Sequence, residues 1–250
     1  MSGHSKWSTI KRKKGKADAE RGRLFSRLIK EITVAARHGG GDESSNPRLR
    51  SAIQEAKASN MPQANIEKAI KKGTGELPGV VYEEARYEAY GPGGIAIMLD
   101  VLTDNKKRTV AEIRHALERG GGNLAANGSV AWMFDQRGAI AIPKKDLTED
   151  DVFLVVADAG ANDIREEADA FEVTTPPEAL EGVKRALTEN NIEYDHAEVT
   201  YVAQTDVKLS GDAAKRVLKL MEALDELDDT SKIYSNFDVD EETLAEVMVS

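Results

Sequence analysis

The chain has 250 residues, 40% of them apolar, and a net charge of −10. That length and apolar content suffice for a sizeable core and for two or three small domains. The absence of cysteine excludes disulfides, thiol catalysis and Cys-ligated zinc, and no run of about 18 apolar residues or signal-peptide stretch occurs, so a cytoplasmic protein is expected.

The charge is divided unevenly. Residues 1–72 carry 17 Lys and Arg against 7 Asp and Glu, whereas the remaining 178 carry 17 against 37, a +10 head on a −20 body. Such asymmetry points to an anionic partner for the basic part, here nucleic acid. Within residues 1–18, Lys6, Lys11, Arg12, Lys13, Lys14 and Lys16 precede the first acid, Asp18, and almost no aliphatic side chain accompanies them. Such a segment cannot offset its ordering entropy and is expected to be a mobile basic tail that orders on a partner. Trp7 adds a planar group able to stack on a base while the cations attract phosphate.

From Ala19 to His38, Leu24, Leu28, Ile32 and Ala35 recur at helical spacing beside Phe25 and Ile29, and Gly39–Gly41 stop the helix. Asn46 and Pro47 read as N-cap and first position of a second helix with Leu49, Ile53 and Ala56 inward and Asn60 as terminator. A third helix begins near Pro62, turns Ile66, Ala69 and Ile70 inward, and ends at Gly73. These form a small helical bundle over 19–75. Its outer faces are expected to display Arg21, Arg23, Arg27, Lys30, Arg48, Arg50, Lys57, Lys68, Lys71 and Lys72.

A linker rich in turn formers follows at Gly73–Gly79. Tyr82–Tyr90 and Ile95–Leu102, joined by Gly91-Pro92-Gly93-Gly94, read as a hairpin. Asp104 or Asn105 caps a helix with Val110, Ile113 and Leu117 on one face, Gly120–Gly122 end it, and Ser129–Phe134 reads as a strand. Further strands are expected at 139–142, 170–174, 198–203 and 232–237, with helices at 149–159, 177–190 and 211–227. Seven short strands among helices are too many for one two-layer unit, so the expected class is multidomain α+β: the helical bundle, then two small sheets with helices on one face.

No enzyme signature emerges. His4, His38, His115 and His196 show no metal-ligand spacing, and neither GxSxG nor HExxH occurs. The glycine clusters match neither GxGxxG before a helix nor GxxxxGK[ST], and the acidic run Asp225, Glu226, Asp228 and Asp229 lacks the calcium-loop pattern and reads as a solvated helix end. No catalytic residue, metal site or cofactor is expected. The rival readings are an enzyme with a cleft between the α+β domains and a protein-interaction module with an acidic face.

GHSKW (Gly3–Trp7), KADAERGRLFSRLIKEI (Lys16–Ile32), GGGD (Gly39–Asp42), NPRLR (Asn46–Arg50), YEAYGPGG (Tyr87–Gly94), LTDNKKRTVAEIRHAL (Leu102–Leu117), GGNL (Gly121–Leu124), GSVAWMF (Gly128–Phe134) and YSNFDVD (Tyr234–Asp240) strongly resemble the YebC family over nearly the whole chain. The resemblance implies a helical domain, a central α+β domain over 79–135 plus 204–240, and a third α+β domain, 136–203, inserted into the second. It also implies a non-enzymatic role in gene expression, either as a DNA-binding transcriptional regulator or as a ribosome-associated translation factor. By position, Lys6, Lys11, Arg12, Lys13, Lys14 and Lys16 match the family's basic N-terminal motif. Gly91–Gly94, Asn105, Arg108 and Arg114 match its central motifs. Glu20 interrupts a stretch often more basic in the family, and Ala125 replaces a common glycine.

The residues expected to contact nucleic acid are therefore Lys6, Trp7, Lys11, Arg12, Lys13, Lys14, Lys16, Arg21, Arg23 and Arg27, with Gly91, Gly93, Gly94, Asn105, Arg108 and Arg114 as a second, central-domain group. The head shows no helix-turn-helix signature, whereas structured RNA offers phosphate-lined crevices to a basic tail, so ribosomal RNA is favoured over duplex DNA as the partner. The acidic body would repel nucleic acid laid flat along it, so the contact is expected to be end-on.

Overall fold

The computed structural model describes residues 19–145, 147–167, 170–240 and 243, without the side chains of 19 and 20. The basic tail, 1–18, lies outside the described residues.

Three helices come first: α1 (Ala19–Gly39), α2 (Pro47–Ala58) and α3 (Gln63–Thr74). Asn46 caps α2, its side chain accepting from Leu49 N at 3.1 Å. Its amide donates back to the carbonyls of Ala35 and Gly40, so one buried residue fixes the α1–α2 turn. Leu28, Ile32, Leu49, Ile53, Ile66 and Met61 fill the core between the helices. At Gly73 the backbone of α3 meets α1 so closely that a Cβ would stand 2.4 Å from the Thr33 carbonyl oxygen. This is why a glycine occupies a helical position there.

The next sheet has the order β3-β1-β2-β9, built from β1 (Glu83–Tyr90), β2 (Ala96–Thr103), β3 (Asn123–Leu124) and β9 (Thr230–Ser235). The hairpin β1–β2 is antiparallel, and β9, from the far end of the chain, pairs with β2. Two helices, α4 (Lys106–Arg119) and α7 (Gly211–Asp225), cover one face, burying Ile97, Leu99, Ile113, Leu117, Val217 and Met221. Beside this unit β8 (Val207–Leu209) and β10 (Phe237–Val239) pair in parallel.

A separate four-stranded sheet contains β4 (Phe134–Pro143), β5 (Asp163–Glu166), β6 (Ala170–Thr175) and β7 (His196–Ala203) in the order β5-β6-β4-β7. With α5 (Glu149–Val156) and α6 (Leu180–Glu189), the succession is strand-helix-strand-strand-helix-strand, the split βαβ arrangement. Ile140, Ile142, Val156, Phe171, Val183 and Leu187 form its core.

Several boundaries differ from the sequence reading. Ser129–Phe134 is not a strand. It is a loop with a short 3-10 turn at Ala131–Met133, and the strand runs from Phe134, because Val130 and Phe134 are drawn into a junction core instead of a ladder. The short strands β3, β5, β8 and β10 carry too few alternating residues to be read from the sequence. On α4 the buried position is Thr109, with Val110 half-buried, because the threonine hydroxyl has buried partners.

The two sheets pack on each other through a shared core. Ala96, Met98, Val130, Phe134 and Tyr234 form a shared apolar cluster, with Tyr201 of β7 packed edge-on against Tyr234. Arg86 forms a two-pronged pair with Asp100 at 2.6 and 2.9 Å while its guanidinium lies over the Tyr201 ring. Burial first, and then the Asp100 charge, push the Tyr234 hydroxyl well above its ordinary value. Among the described residues no helix is long and apolar enough to cross a membrane.

Candidate nucleic-acid interface

Of the residues expected to bind nucleic acid, Lys6, Trp7, Lys11, Arg12, Lys13, Lys14 and Lys16 lie outside the described residues. The helical head lies within them, and its cations fall into two sets.

The first set faces inward. Arg23, Arg27 and Lys30 are four and three residues apart, which places them along one side of α1. That side meets the end of α7: Arg23 lies 3.5 Å from Glu226, Arg27 lies 3.1 Å from Asp225 and also donates to its carbonyl, and Lys30 lies 2.7 Å from Asp229. Arg27 and Lys30 retain only 13% and 14% exposure. This corrects two sequence readings. Arg27 and Lys30 are not displayed on an outer face, and Asp225 and Asp229 do not belong to a solvated helix end, because opposite charges about 200 residues apart in the chain are brought together between the head and the first sheet.

Asp229 is the centre of this contact. Its side chain, 2% exposed, accepts from Lys30, from Arg108 at 2.7 Å, and from the hydroxyls of Thr103 and Thr109 at 3.0 and 2.7 Å. Burial alone would raise its carboxyl pKa; the hydrogen bonds from Lys30, Arg108 and Thr109 overcome that and hold it well below its ordinary value. Further along, Arg48 bridges Glu31 and Glu84, which ties α2 to the start of β1.

The second set faces outward. Arg21, Arg37, Arg50, Lys57, Lys68 and Lys71 are exposed. Lys68 and Lys71 are three residues apart on α3, hence on one side of it. Arg37 belongs to the last turn of α1, whose backbone packs against Gly73 near the end of α3. The sequence reading does not single out Arg37, although a cation in a helix's last turn beside a glycine stop is the available signal.

The central-domain candidates do not converge. Gly91, Gly93 and Gly94 make the turn between β1 and β2, with φ of +75° and +77° at Gly93 and Gly94 and Gly94 N donating to Gly91 O at 3.1 Å. Asn105 and Arg108 lie past the opposite end of β2, a strand length of roughly 25 Å away. Asn105 caps α4 by accepting from Arg108 N, and Arg108 pairs with Asp104 and Asp229, so both have structural partners. Arg114 is exposed on α4.

Glu88 is a further residue that sequence reasoning passes over. It is buried on β1, and its carboxylate accepts from the backbone N–H groups of Gly128, Val130 and Ala131 at 2.6, 2.6 and 2.9 Å. Burial opposes its ionisation, but the three amides prevail and its pKa is lowered.

A shallow depression of about 320 Å³ on the free face of the β5-β6-β4-β7 sheet is lined by Asp135, Arg137, Asp163 and Arg165, which pair as Arg137–Asp135 and Arg165–Asp163. Among the described residues no group of three or more His, Asp or Glu is placed to hold a metal.

A basic three-helix head clamped by ion pairs onto an acidic body of two small sheets defines a multidomain α+β protein. The family description "TACO1/YebC protein N-terminal domain" matches residues 5–76, and "TACO1/YebC second and third domain" matches 82–237. The chain belongs to the TACO1/YebC family. It is 54% identical over 242 residues to a probable transcriptional regulatory protein of Desulforapulum autotrophicum, covering 97% of this chain and 98% of that one. Another protein of that name, from Syntrophobacter fumaroxidans, is 52% identical over 98% of each chain. A crystal structure of a conserved hypothetical protein from Aquifex aeolicus superposes with a TM-score of 0.81 at 43% identity, covering 90% of this chain and 93% of that one.

Proposed function

We propose that this protein is a non-enzymatic regulator of gene expression in the cytoplasm that binds nucleic acid end-on through its basic head. The observation that carries this reading is the charge partition, +10 over residues 1–72 against −20 beyond. The inward cations Arg23, Arg27 and Lys30 are matched by acids of the body, while Arg21, Arg37, Lys68 and Lys71 remain exposed. Lys6, Lys11, Arg12, Lys13, Lys14 and Lys16 supply the larger part of the phosphate attraction, and Trp7 stacks on a base. The body serves as spacer and partner-facing surface, divided as a central domain, 79–135 plus 204–240, and an inserted domain, 136–203. The strand order, with β9 beside β2 and β4–β7 in their own sheet, supports that division.

Ribosomal RNA is the favoured partner, because a basic tail fits phosphate-lined crevices and the head's sequence carries no helix-turn-helix signature. Duplex DNA is the second reading, favoured by the name that the relatives from Desulforapulum and Syntrophobacter carry, and contact with phosphates alone can support it.

The test is binding of the labelled chain to purified ribosomes and to duplex DNA at physiological salt, with and without residues 2–16. Tail-dependent binding that is tight on ribosomes and weak on DNA is expected. The reverse preference, with discrimination among DNA sequences, would replace the first reading by the second. A salt dependence unchanged by removal of the tail would exclude tail contact, since log affinity falls with log salt in proportion to the phosphates neutralised.

A further inference from the structure

The chain has two tryptophans, and Trp132 is 66% exposed. An exposed indole on a mobile loop would be unremarked, but this one is held. Its Nε1–H donates to the Ser129 carbonyl at 3.0 Å, and the Tyr90 hydroxyl donates to the same oxygen at 3.1 Å. The surrounding loop is pinned from beneath by Glu88 through the amides of Gly128, Val130 and Ala131, and Val130 is wholly buried. The polar edge of the indole is therefore already satisfied within the molecule. What it offers outward is its π face, at little further ordering cost.

The charge around it is equally specific. Residues 120–134 contain no Asp, Glu, Lys or Arg, and neither do residues 89–99, although the body beyond residue 72 carries 37 acids. The two stretches are neighbours in space: Tyr90 pairs with Asn123, Ala89 with Leu124, and Gly122 packs so tightly on Tyr90 that a Cβ would stand 2.6 Å from its carbonyl oxygen. Together they make a window that contributes no charged side chain of its own to an acidic surface, and the Glu88 carboxylate beneath it is buried and engaged by three amides, so a polyanion meets less repulsion here than elsewhere on the body. Arg119 borders it, and Asn123 and Asn127 are exposed within it, with amides suited to base edges.

We propose that Trp132 is a stacking platform for an unpaired base of a nucleic-acid strand that passes over the window formed by residues 89–94 and 120–134. The site rests on the reading that this protein binds nucleic acid, and it adds a second contact, separate from the tail, that selects single-stranded or looped segments over duplex. Stacking needs a π face and no particular base, so the site is sequence-tolerant.

The test uses the full chain carrying Trp7→Phe, in which Trp132 is the sole remaining tryptophan. It is titrated with a twelve-nucleotide single-stranded RNA, the same sequence as a duplex, and an abasic strand of equal charge. Quenching by the single strand and not by the abasic strand is expected. Trp132→Ala should weaken single-strand binding about 5- to 150-fold with its salt slope unchanged, because stacking releases no counterions. Trp132→Phe should restore most of the affinity. Equal affinity of Trp132→Ala and its parent would overturn the stacking site while leaving the parent's nucleic-acid binding in place, and would assign the indole to a protein partner. Failure of the parent to bind any of the three probes would overturn both this site and the function on which it rests.

Discussion

Lys30 of α1 and Asp229, which follows α7, meet at 2.7 Å although they are 199 residues apart, and the carboxylate is almost fully enclosed. The contact joins the basic head to the acidic body, and Arg108, Thr103 and Thr109 close the remaining sides of Asp229.

Removing that charge should loosen the head. Asp229→Asn is expected to cost about 1.5 to 3 kcal/mol in urea unfolding, the range for hydrogen bonds to a charged group. The pKa of Asp229 is depressed in the folded chain, so its contribution is complete above the ordinary value of 3.8 and is lost as pH falls below it toward the folded value. The stability gap between the parent and Asp229→Asn should therefore narrow on acidification below about pH 4. A gap constant from about pH 7 to about pH 3 would contradict this assignment.

Glu88 should be needed for the loop that carries Trp132. Glu88→Gln keeps the size of the side chain but gives up the anionic acceptor, at a cost of about 1.5 to 3 kcal/mol. Hydrogen exchange at Gly128, Val130 and Ala131 should accelerate more than at the α4 amides, which share no bond with Glu88. Its depressed pKa gives the same sign as at Asp229, with stability present above the ordinary 4.5 and lost below it.

The two sets of head cations should separate experimentally. Lys68→Ala with Lys71→Ala should reduce the salt slope of nucleic-acid binding by about 0.7 to 0.9 for each phosphate that is no longer neutralised, with little change in unfolding. Arg27→Ala should do the opposite, leaving the slope intact and lowering stability by about 1.5 to 3 kcal/mol as its bonds to Asp225 disappear. Equal slope effects from both variants would show that the inward face opens when nucleic acid binds.

Gly73→Ala tests the closest backbone approach in the head. The added Cβ would meet the Thr33 carbonyl at 2.4 Å and the Ala36 Cβ at 2.7 Å, so α1 and α3 must move apart. The expected loss is about 1 to 3 kcal/mol, the usual range for overpacking. An unchanged thermal midpoint would mean that the helices separate freely.

Local signals are legible in the sequence and partner-dependent ones are not. The three head helices follow from Leu28, Ile32, Leu49, Ile53 and Ile66 at helical spacing together with the Asn46-Pro47 start, all of which depend on neighbours in the chain. The β1–β2 hairpin follows from Gly91–Gly94 between two apolar stretches. Arg27 and Lys30 look like solvent-facing cations because nothing within a few residues of them announces Asp225 and Asp229. The same holds for Glu88, which on a strand looks like an outward acid until the loop at 128–131 supplies its donors. At Ser129–Phe134, apolar composition suggests a ladder, but Val130 and Phe134 are committed to the core shared by the two sheets, and the chain bends through a 3-10 turn to deliver them.

The return of β9 to the edge of β2 has a consequence for how the chain is made. In synthesis the head and the β1–β2 hairpin emerge before β4–β7, and Thr230–Ser235, which completes their sheet, emerges after the whole of β4–β7. Asp225, Glu226 and Asp229 arrive equally late. Throughout that interval Arg23, Arg27 and Lys30 have been synthesised and their acidic counterparts have not. The nascent head is thus more cationic on its inner side than the folded molecule, and only the stretch 225–229 silences it.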